Sequence, residues 1–95
     1  MTILQIEHPV RDYDGWKRAF DSDPIGRKAG GVRRHRVSRP PDDPRYVVID
    51  LEFDSVLEAE AFLDRLRGLW SRVVEEGLIG EPRARVLEVD ESADD

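Results

Sequence analysis

Alternating apolar and polar residues predict four β-strands in this chain, at Thr2–His8, Val32–Ser38, Arg45–Phe53 and Arg83–Val89. Side chains of a strand point alternately to its two faces, so every second residue shares an environment. The third strand shows the strongest pattern, because one of its faces is wholly apolar and consists of Val47, Ile49, Leu51 and Phe53.

Between the first two strands, the spacing of apolar residues predicts an amphipathic helix. It begins after Asp12, whose carboxylate is suited to accept hydrogen bonds from the free N–H groups of a helix start. Its apolar stripe consists of Tyr13, Trp16 and Phe20. The Asp23-Pro24 pair then predicts a further short helical turn, which ends at Gly30-Gly31.

A second, longer helix is predicted after the third strand. Ser55 and Glu58 have the spacing of a capping box, in which each side chain bonds to a backbone N–H of the first turn. The apolar residues at helical spacing are Ala59, Phe62, Leu63, Leu66, Trp70, Val73 and Val74. We expect Gly77 to stop the helix near Glu76, and Gly68 to bend or break it.

The order strand–helix–strand–strand–helix–strand predicts a ferredoxin-like α+β fold. Right-handed crossovers arrange the antiparallel strands in the order 4-1-3-2, with both helices on one face of the sheet. A chain of 95 residues has room for one such domain, which we place at residues 1–89. Residues 90–95 contain four of the 21 acidic residues and no apolar periodicity, which predicts a disordered acidic tail.

The two faces of the predicted sheet differ in polarity. To the helix-covered face we assign the apolar row of the third strand with Leu4, Ile6, His8, His35, Val37, Leu87 and Val89. The opposite face is too apolar for free contact with water and too charged for a monomer core, so we expect a second copy of the chain to cover it. The predicted homodimer interface comprises Ile3, Val32, Arg34, Tyr46, Val48 and Asp50.

Composition removes several classes of function. The chain has no Cys, so disulfides, thiol catalysis and cysteine-based metal sites are excluded. Its net charge is −6, which opposes binding to the phosphate backbone of nucleic acids. The densest basic stretch, Arg33–Arg39, matches no nucleic-acid-binding motif, and we expect no nucleic-acid partner. No apolar run is long enough to cross a bilayer and no leader pattern opens the chain, so we expect a cytoplasmic protein without a membrane partner.

The candidate catalytic residues are few. Histidine is the side chain that titrates nearest to neutral pH, and the chain has only His8 and His35. If both face the helices, they form a candidate proton-transfer pair in one pocket, with the Tyr13 hydroxyl nearby. The alternative is structural, with His8 at a strand end and His35 as packing. Two histidines without a third ligand predict no metal site.

The candidate ligand-binding residues are aromatic and basic. Trp16 and Trp70 are suited to wall a cleft for a planar ligand, and Arg27 is suited to hold an anionic group at its mouth. The alternative places both tryptophans in an ordinary helix–sheet core and leaves the arginine solvated.

Two segments of the chain resemble a known superfamily. The run V-R-D-Y-D-G-W-K-R-A-F of Val10–Phe20 resembles the start of dimeric α+β barrel proteins. The run D-P-R-Y-V-V-I-D-L-E-F-D-S-V-L-E-A-E-A-F of Asp43–Phe62 resembles their third strand and second helix. Among these proteins, the chain is most similar to antibiotic-biosynthesis-monooxygenase-like members and their uncharacterised relatives.

This resemblance implies a homodimer whose two sheets close a barrel, with a pocket between helices and sheet in each subunit. It implies a hydrophobic or aromatic ligand and, among activities, monooxygenation without a cofactor, or isomerisation. Haem-degrading and quinone-forming relatives use an Asn, which this chain lacks, so those activities are not implied. The alternatives are a non-catalytic ligand-binding or stress-associated dimer, and a structural module that binds a protein partner.

Overall fold

The computed structural model describes residues 1–95 and contains one antiparallel sheet and two helices. The elements are β1 (Thr2–Pro9), α1 (Tyr13–Asp21), β2 (Arg34–Ser38), β3 (Tyr46–Phe53), α2 (Val56–Glu75) and β4 (Arg83–Glu88). The strand order β2-β3-β1-β4 confirms the predicted ferredoxin-like topology. Neither α1 nor α2 combines the length and apolar composition that a membrane crossing requires.

Local sequence sets the start of both helices as predicted. The Asp12 carboxylate accepts a hydrogen bond from the Gly15 N–H at 2.9 Å, and the Ser55 hydroxyl accepts one from the Glu58 N–H at 3.2 Å. Each bond satisfies a backbone donor that the helix itself leaves free.

Of the bend or break predicted at Gly68, the break is wrong, because the helix is continuous from Val56 to Glu75. The glycine is exposed, and a Cβ added there would meet nothing within 4 Å. Its cost is therefore limited to backbone entropy, about 1 kcal/mol relative to Ala, which the packing of neighbouring turns onto the sheet offsets.

The connection from α1 to β2 also differs from the prediction. Residues 22–31 form turns and contain no helix. Asp23 and Gly26 have positive φ angles of 56° and 82°, which lie in the left-handed region and are incompatible with a right-handed helical turn. Gly30 packs against the ring of Phe62, where an added Cβ would lie 2.6 Å from Cδ1. This close approach ties the connection to α2.

The core lies between the helices and the two central strands, β1 and β3. Their register pairs Leu4 with Leu51 and Ile6 with Ile49, so the apolar rows of both strands share one face. The fully buried side chains of largest volume are Phe53, Phe62, Leu4, Leu51 and Val47.

The predicted inward orientation of Leu87 in β4 is wrong. Leu87 pairs with Ile3 on the open face of the sheet and is 37% exposed. Ala84 and Val86, which have the opposite alternation, pack against the core instead.

The open face of the sheet carries a polar network across three strands. Arg85 donates to the Gln5 side-chain oxygen at 2.8 Å, and the Gln5 amide donates to Asp50 at 3.1 Å. The Tyr46 hydroxyl donates to the Glu7 carboxylate at 2.8 Å, which raises the pKa of that hydroxyl. These bonds fix polar side chains on a face that no helix covers.

Of the predicted interface residues, Val32 does not lie on this open face. It precedes β2, is 8% exposed and belongs to the core of the single chain, so it is not free to contact a partner. The strand register places the others on the open face, namely Ile3, Arg34, Tyr46, Val48 and Asp50.

Candidate functional site

A cavity of about 580 Å³ lies between the helices and the sheet. Its volume falls within the range of roughly 300–1,000 Å³ that small-molecule sites occupy. Of its 22 lining residues, 14 are hydrophobic, so the cavity is suited to an apolar ligand. Its walls include Ile6, His8, Ile49 and Leu51 from the sheet, Trp16 and Phe20 from α1, and Phe62, Leu66, Leu69, Trp70 and Val73 from α2.

Aromatic rings form the α1 wall of this cavity. Trp16 and Phe20 are four residues apart, which places them on one side of the helix. Their rings stack at 26° with centroids 5.1 Å apart, and Trp16 approaches His8 edge-on at 5.9 Å. Trp70 lines the cavity from α2. The structure therefore places both tryptophans where the ligand-binding hypothesis requires them.

His8 lies at the inner end of this wall with one ring nitrogen fixed by the backbone. His8 is 2% exposed, and its Nδ1 lies 3.0 Å from the Pro9 carbonyl oxygen. A carbonyl only accepts hydrogen bonds, so Nδ1 carries the proton and Nε2 of the neutral ring has a lone pair. Every fully buried side-chain nitrogen or oxygen has a hydrogen-bond partner, whereas Nε2 has none within the chain. Nε2 is therefore not fully buried, and because His8 lines the cavity, Nε2 is open to the cavity.

Burial lowers the pKa of His8 from its ordinary value of 6.5, and the hydrogen bond to Pro9 opposes this effect only in part. At neutral pH the imidazole is therefore uncharged. An uncharged imidazole with a free Nε2 lone pair is a hydrogen-bond acceptor and a base.

The lowered pKa predicts a pH-dependent stability. Below pH 6.5 His8 binds a proton in the unfolded chain but not in the folded one, so the free energy of unfolding falls as pH decreases toward the folded pKa. Its slope is at most about 1.4 kcal/mol per pH unit. Denaturant unfolding of wild type and His8→Gln at pH 5–7.5 measures the difference. Parallel curves for the two proteins would contradict the predicted contribution of His8.

The structure does not bring the other two candidate catalytic residues into the cavity. His35 faces the helices as predicted and meets Phe20 edge-on at 5.5 Å, but it is exposed and lies outside the cavity lining. The ring of Tyr13 is covered by the Arg39 guanidinium at 3.7 Å and also lies outside the lining. Of the three candidates, only His8 contacts the cavity.

Arg27 lines the cavity at its outer end, as the ligand-binding hypothesis requires. Its guanidinium carbon lies 4.0 Å from the Phe20 ring centroid, and Nη1 donates to the Phe20 carbonyl at 2.8 Å. The same Nη1 lies 3.5 Å from the Asp23 carboxylate. This arginine is thus anchored in place rather than solvated.

Little in the sequence indicates that the connection after α1 contributes to the cavity. Pro24 and Ile25 line the cavity although they lie in turns without periodic spacing. The available signal was Ile25 itself, an apolar residue within a polar, glycine-containing segment.

The cavity has no arrangement of metal ligands. No group of three or more His, Asp or Glu side chains is placed to hold a metal ion. Glu88 pairs with Thr2, at the end of β1 opposite to His8, so it is not available as a ligand beside that histidine.

Comparison with known proteins rests on structure, because no protein-family model and no curated protein sequence matches this chain. A candidate antibiotic biosynthesis monooxygenase from Nitrosomonas europaea superposes with a TM-score of 0.70 at 16% identity, covering 96% of this chain and 100% of the other. SnoaB, a cofactor-independent oxygenase from Streptomyces nogalater, gives 0.75 at 12% identity, covering 96% and 94%.

A dimeric ferredoxin-like protein from an uncultured marine organism gives a TM-score of 0.66 at 13% identity, covering 97% of this chain and 96% of the other. These matches extend over whole chains at low identity, so they establish the fold and not the activity. The resemblance predicted from the sequence is confirmed at this level: the chain has the ferredoxin-like fold shared by antibiotic-biosynthesis-monooxygenase-like and dimeric ferredoxin-like proteins.

Proposed function

We propose that the cavity binds a planar, aromatic small molecule with an acidic O–H or C–H group. Nε2 of His8 accepts the hydrogen bond or the proton of that group. The observation that carries this proposal is the open Nε2 of an uncharged, buried histidine in a cavity walled by Trp16 and Trp70. An apolar ring system fits the mostly hydrophobic lining, and one polar acceptor orients it.

We further propose that such a ligand is oxidised by O₂ without a cofactor. His8 removes a proton from the ligand, and the resulting electron-rich anion reacts with O₂. The reaction balances for a ring methylene flanked by aromatic rings. One atom of O₂ becomes the oxygen of the new carbonyl group, and the other leaves as water with the two methylene hydrogens. No external reductant is required. The likeness to SnoaB, a cofactor-independent oxygenase, supports this reaction class. The chain lacks the Asn that quinone-forming relatives use, so the proposal assigns the base to His8 instead.

The binding step is tested by fluorescence titration with 2-naphthol and its ether 2-methoxynaphthalene. We expect both to bind with Kd values of about 10–100 μM, as ligand efficiencies for molecules of this size indicate. The naphthol should bind about fivefold more tightly, because its O–H donates to His8 at about 1 kcal/mol. Trp70→Ala should weaken both about tenfold by removing an aromatic wall.

Two further variants make this titration specific. His8→Phe should abolish the preference for naphthol over the ether while binding persists. Arg67→Gln changes a side chain that is 63% exposed on α2, outside the cavity lining, and should leave both Kd values unchanged. Absence of saturable binding by either compound would refute the proposed function. Binding without O₂ uptake for any aromatic carbon acid would favour the alternative, a non-catalytic ligand-binding dimer.

We propose that two copies of the chain pair through their open sheet faces. The face combines apolar side chains, Ile3 and Val48, with alternating Arg and acidic side chains, which makes it complementary to its own copy. The likeness to a dimeric ferredoxin-like protein supports this arrangement.

Light scattering at micromolar concentration should therefore give a mass near twice the 10.9 kDa of the chain. Val48→Asp, which adds a carboxylate at the centre of the open face beside Glu7, should reduce the mass to that of one chain. Leu57→Asp is the matched control, since Leu57 is 80% exposed on α2 and away from that face. A wild-type mass near 10.9 kDa would refute the dimer.

A further inference from the structure

A second, basic depression adjoins the outer end of the cavity. It has a volume of about 360 Å³, and one of its eight lining residues is hydrophobic. Its basic lining residues are Arg27, Lys28, Arg33 and Arg34, and His35 lies beside them; the side chain of Arg34 is on the open face of the sheet. The acid in the lining is Asp23, so this region is positive in a chain whose net charge is −6.

The cations of this depression differ in whether they already pair with an acidic side chain of the same chain. Arg33 is committed to Asp54, to which its Nε donates at 3.0 Å, and Arg34 lies 4.0 Å from Glu52. Lys28 forms no ion pair. Lys28 and Arg27 are therefore the cations best placed to receive a ligand.

Arg27 joins the depression to the cavity, because it lines both. Stacking on Phe20 and the Nη1 bond to the Phe20 carbonyl hold its guanidinium in one position. Nε and Nη2 of Arg27 form no hydrogen bond within the chain. Since every fully buried side-chain donor has a partner, these two N–H groups are not fully buried and are accessible to a ligand. A planar guanidinium fixed in this way is preorganised for an oxyanion.

The Asp23 carboxylate does not cancel this charge. It accepts a hydrogen bond from the Arg27 backbone N–H at 2.9 Å, and it faces Nη1, the nitrogen already bonded to Phe20. The Asp23 carboxylate thus supports the arginine at its backbone N–H and at Nη1, and it leaves Nε and Nη2 unpaired.

A continuous wall leads from the base to this cation. His8 contacts Trp16, Trp16 stacks on Phe20, and Phe20 supports Arg27, with successive separations of 5.9, 5.1 and 4.0 Å. All four side chains line the same cavity. A flat ligand that lies along this wall therefore presents one end to Nε2 of His8 and the other to the Arg27 guanidinium.

We propose that the ligand of this protein carries an oxyanion, with a carboxylate as the simplest case, at the end opposite its acidic group, and that Arg27 and Lys28 bind that oxyanion. This inference rests on the proposed binding of an aromatic ligand and adds the polarity and orientation of that ligand. The depression acts as an anion subsite, which selects substrates with charge at one end.

The test compares 6-hydroxy-2-naphthoic acid with its methyl ester by fluorescence titration of the full chain. We expect the acid to bind about tenfold more tightly than the ester, the strength of a charge-assisted hydrogen bond. Arg27→Met should remove this preference, and Lys28→Gln should reduce it about threefold while removing no ion pair of the fold. In 0.5 M NaCl the preference should shrink, since the subsite is partly exposed to solvent.

The controls separate this inference from the proposed function. Arg67→Gln, which removes the same charge from the solvent face of α2, should keep the tenfold preference. Equal Kd values for acid and ester, with binding intact, would overturn the anion subsite alone. Failure of the acid, the ester and neutral 2-naphthol to bind would overturn the cavity proposal and the subsite with it. Loss of the preference in Arg27→Met but not in Lys28→Gln would confine the subsite to Arg27.

Discussion

Replacing Phe62 with alanine is expected to lower the free energy of unfolding by about 3–5 kcal/mol, a large fraction of the total for a domain of this size. Phe62 is 1% exposed and one of three buried side chains on α2. Its ring lies 5.6 Å from the Phe53 ring and packs directly on Gly30, so it joins α2 to the sheet and to the α1–β2 connection. Its loss leaves a void that these three elements share.

Urea unfolding followed by circular dichroism measures this effect. Phe62→Leu should cost much less than alanine, because leucine refills most of the void. Leu57→Ala, on the same helix but 80% exposed, should change the free energy by no more than about 0.5 kcal/mol. A Phe62→Ala variant as stable as Leu57→Ala would show that the contact with Gly30 and Phe53 does not hold the helix to the sheet.

Replacing His8 with phenylalanine is expected to reduce the proposed oxygenation rate by about 10²–10⁴-fold, the usual contribution of a general base. Phenylalanine preserves the ring that contacts Trp16 and removes the Nε2 lone pair. Oxygen uptake with an anthrone, an aromatic carbon acid, measures the rate. In wild type the rate should rise with pH through the folded pKa of His8, which lies below 6.5, and then level off.

His35→Gln is the matched control, because His35 lies outside the cavity lining and anthrone carries no oxyanion for the depression that His35 borders. It should retain the wild-type rate. Equal rates for wild type and His8→Phe, with anthrone binding intact, would remove His8 from the chemistry and leave a binding protein. Loss of binding in His8→Phe would instead show that the histidine holds the ligand.

The fold was predictable where the decisive interactions are local or depend on chain direction. Asp12 and Ser55 cap helices through contacts three residues away, which the sequence shows directly. The strand order follows from right-handed crossovers and needs no knowledge of particular side chains.

The orientation of β4 follows from all of its side chains taken together and not from Leu87 alone. The apolar side chain of Leu87 favours an orientation in which Leu87 faces the core. Arg83 and Arg85 lie on the same face of β4 as Leu87, so that orientation would bury both arginines. The cost of burying unpaired charges outweighs the gain from one leucine, so Ala84 and Val86 face inward.

The candidate site was predictable only in part, because Tyr13 and His35 lie outside the cavity lining. Trp16, Trp70, Arg27 and His8 all line the cavity as the hypotheses required. His35 shares the helix-facing side of the sheet but lies on the edge strand β2, where Phe20 separates it from the cavity. Alternation specifies the face of a sheet and carries no information on lateral distance across it.

The element order, the helix starts and the polarity of the central strands follow from the amino-acid sequence, because they depend on neighbouring residues and on chain connectivity. Tertiary packing, by contrast, sets which of the three candidate catalytic residues lines the cavity, namely His8, and places Arg27 on the Phe20 ring between the cavity and the basic depression. These features depend on contacts between residues that are distant in sequence, or on turns at Asp23 and Gly26 whose path no periodic pattern specifies.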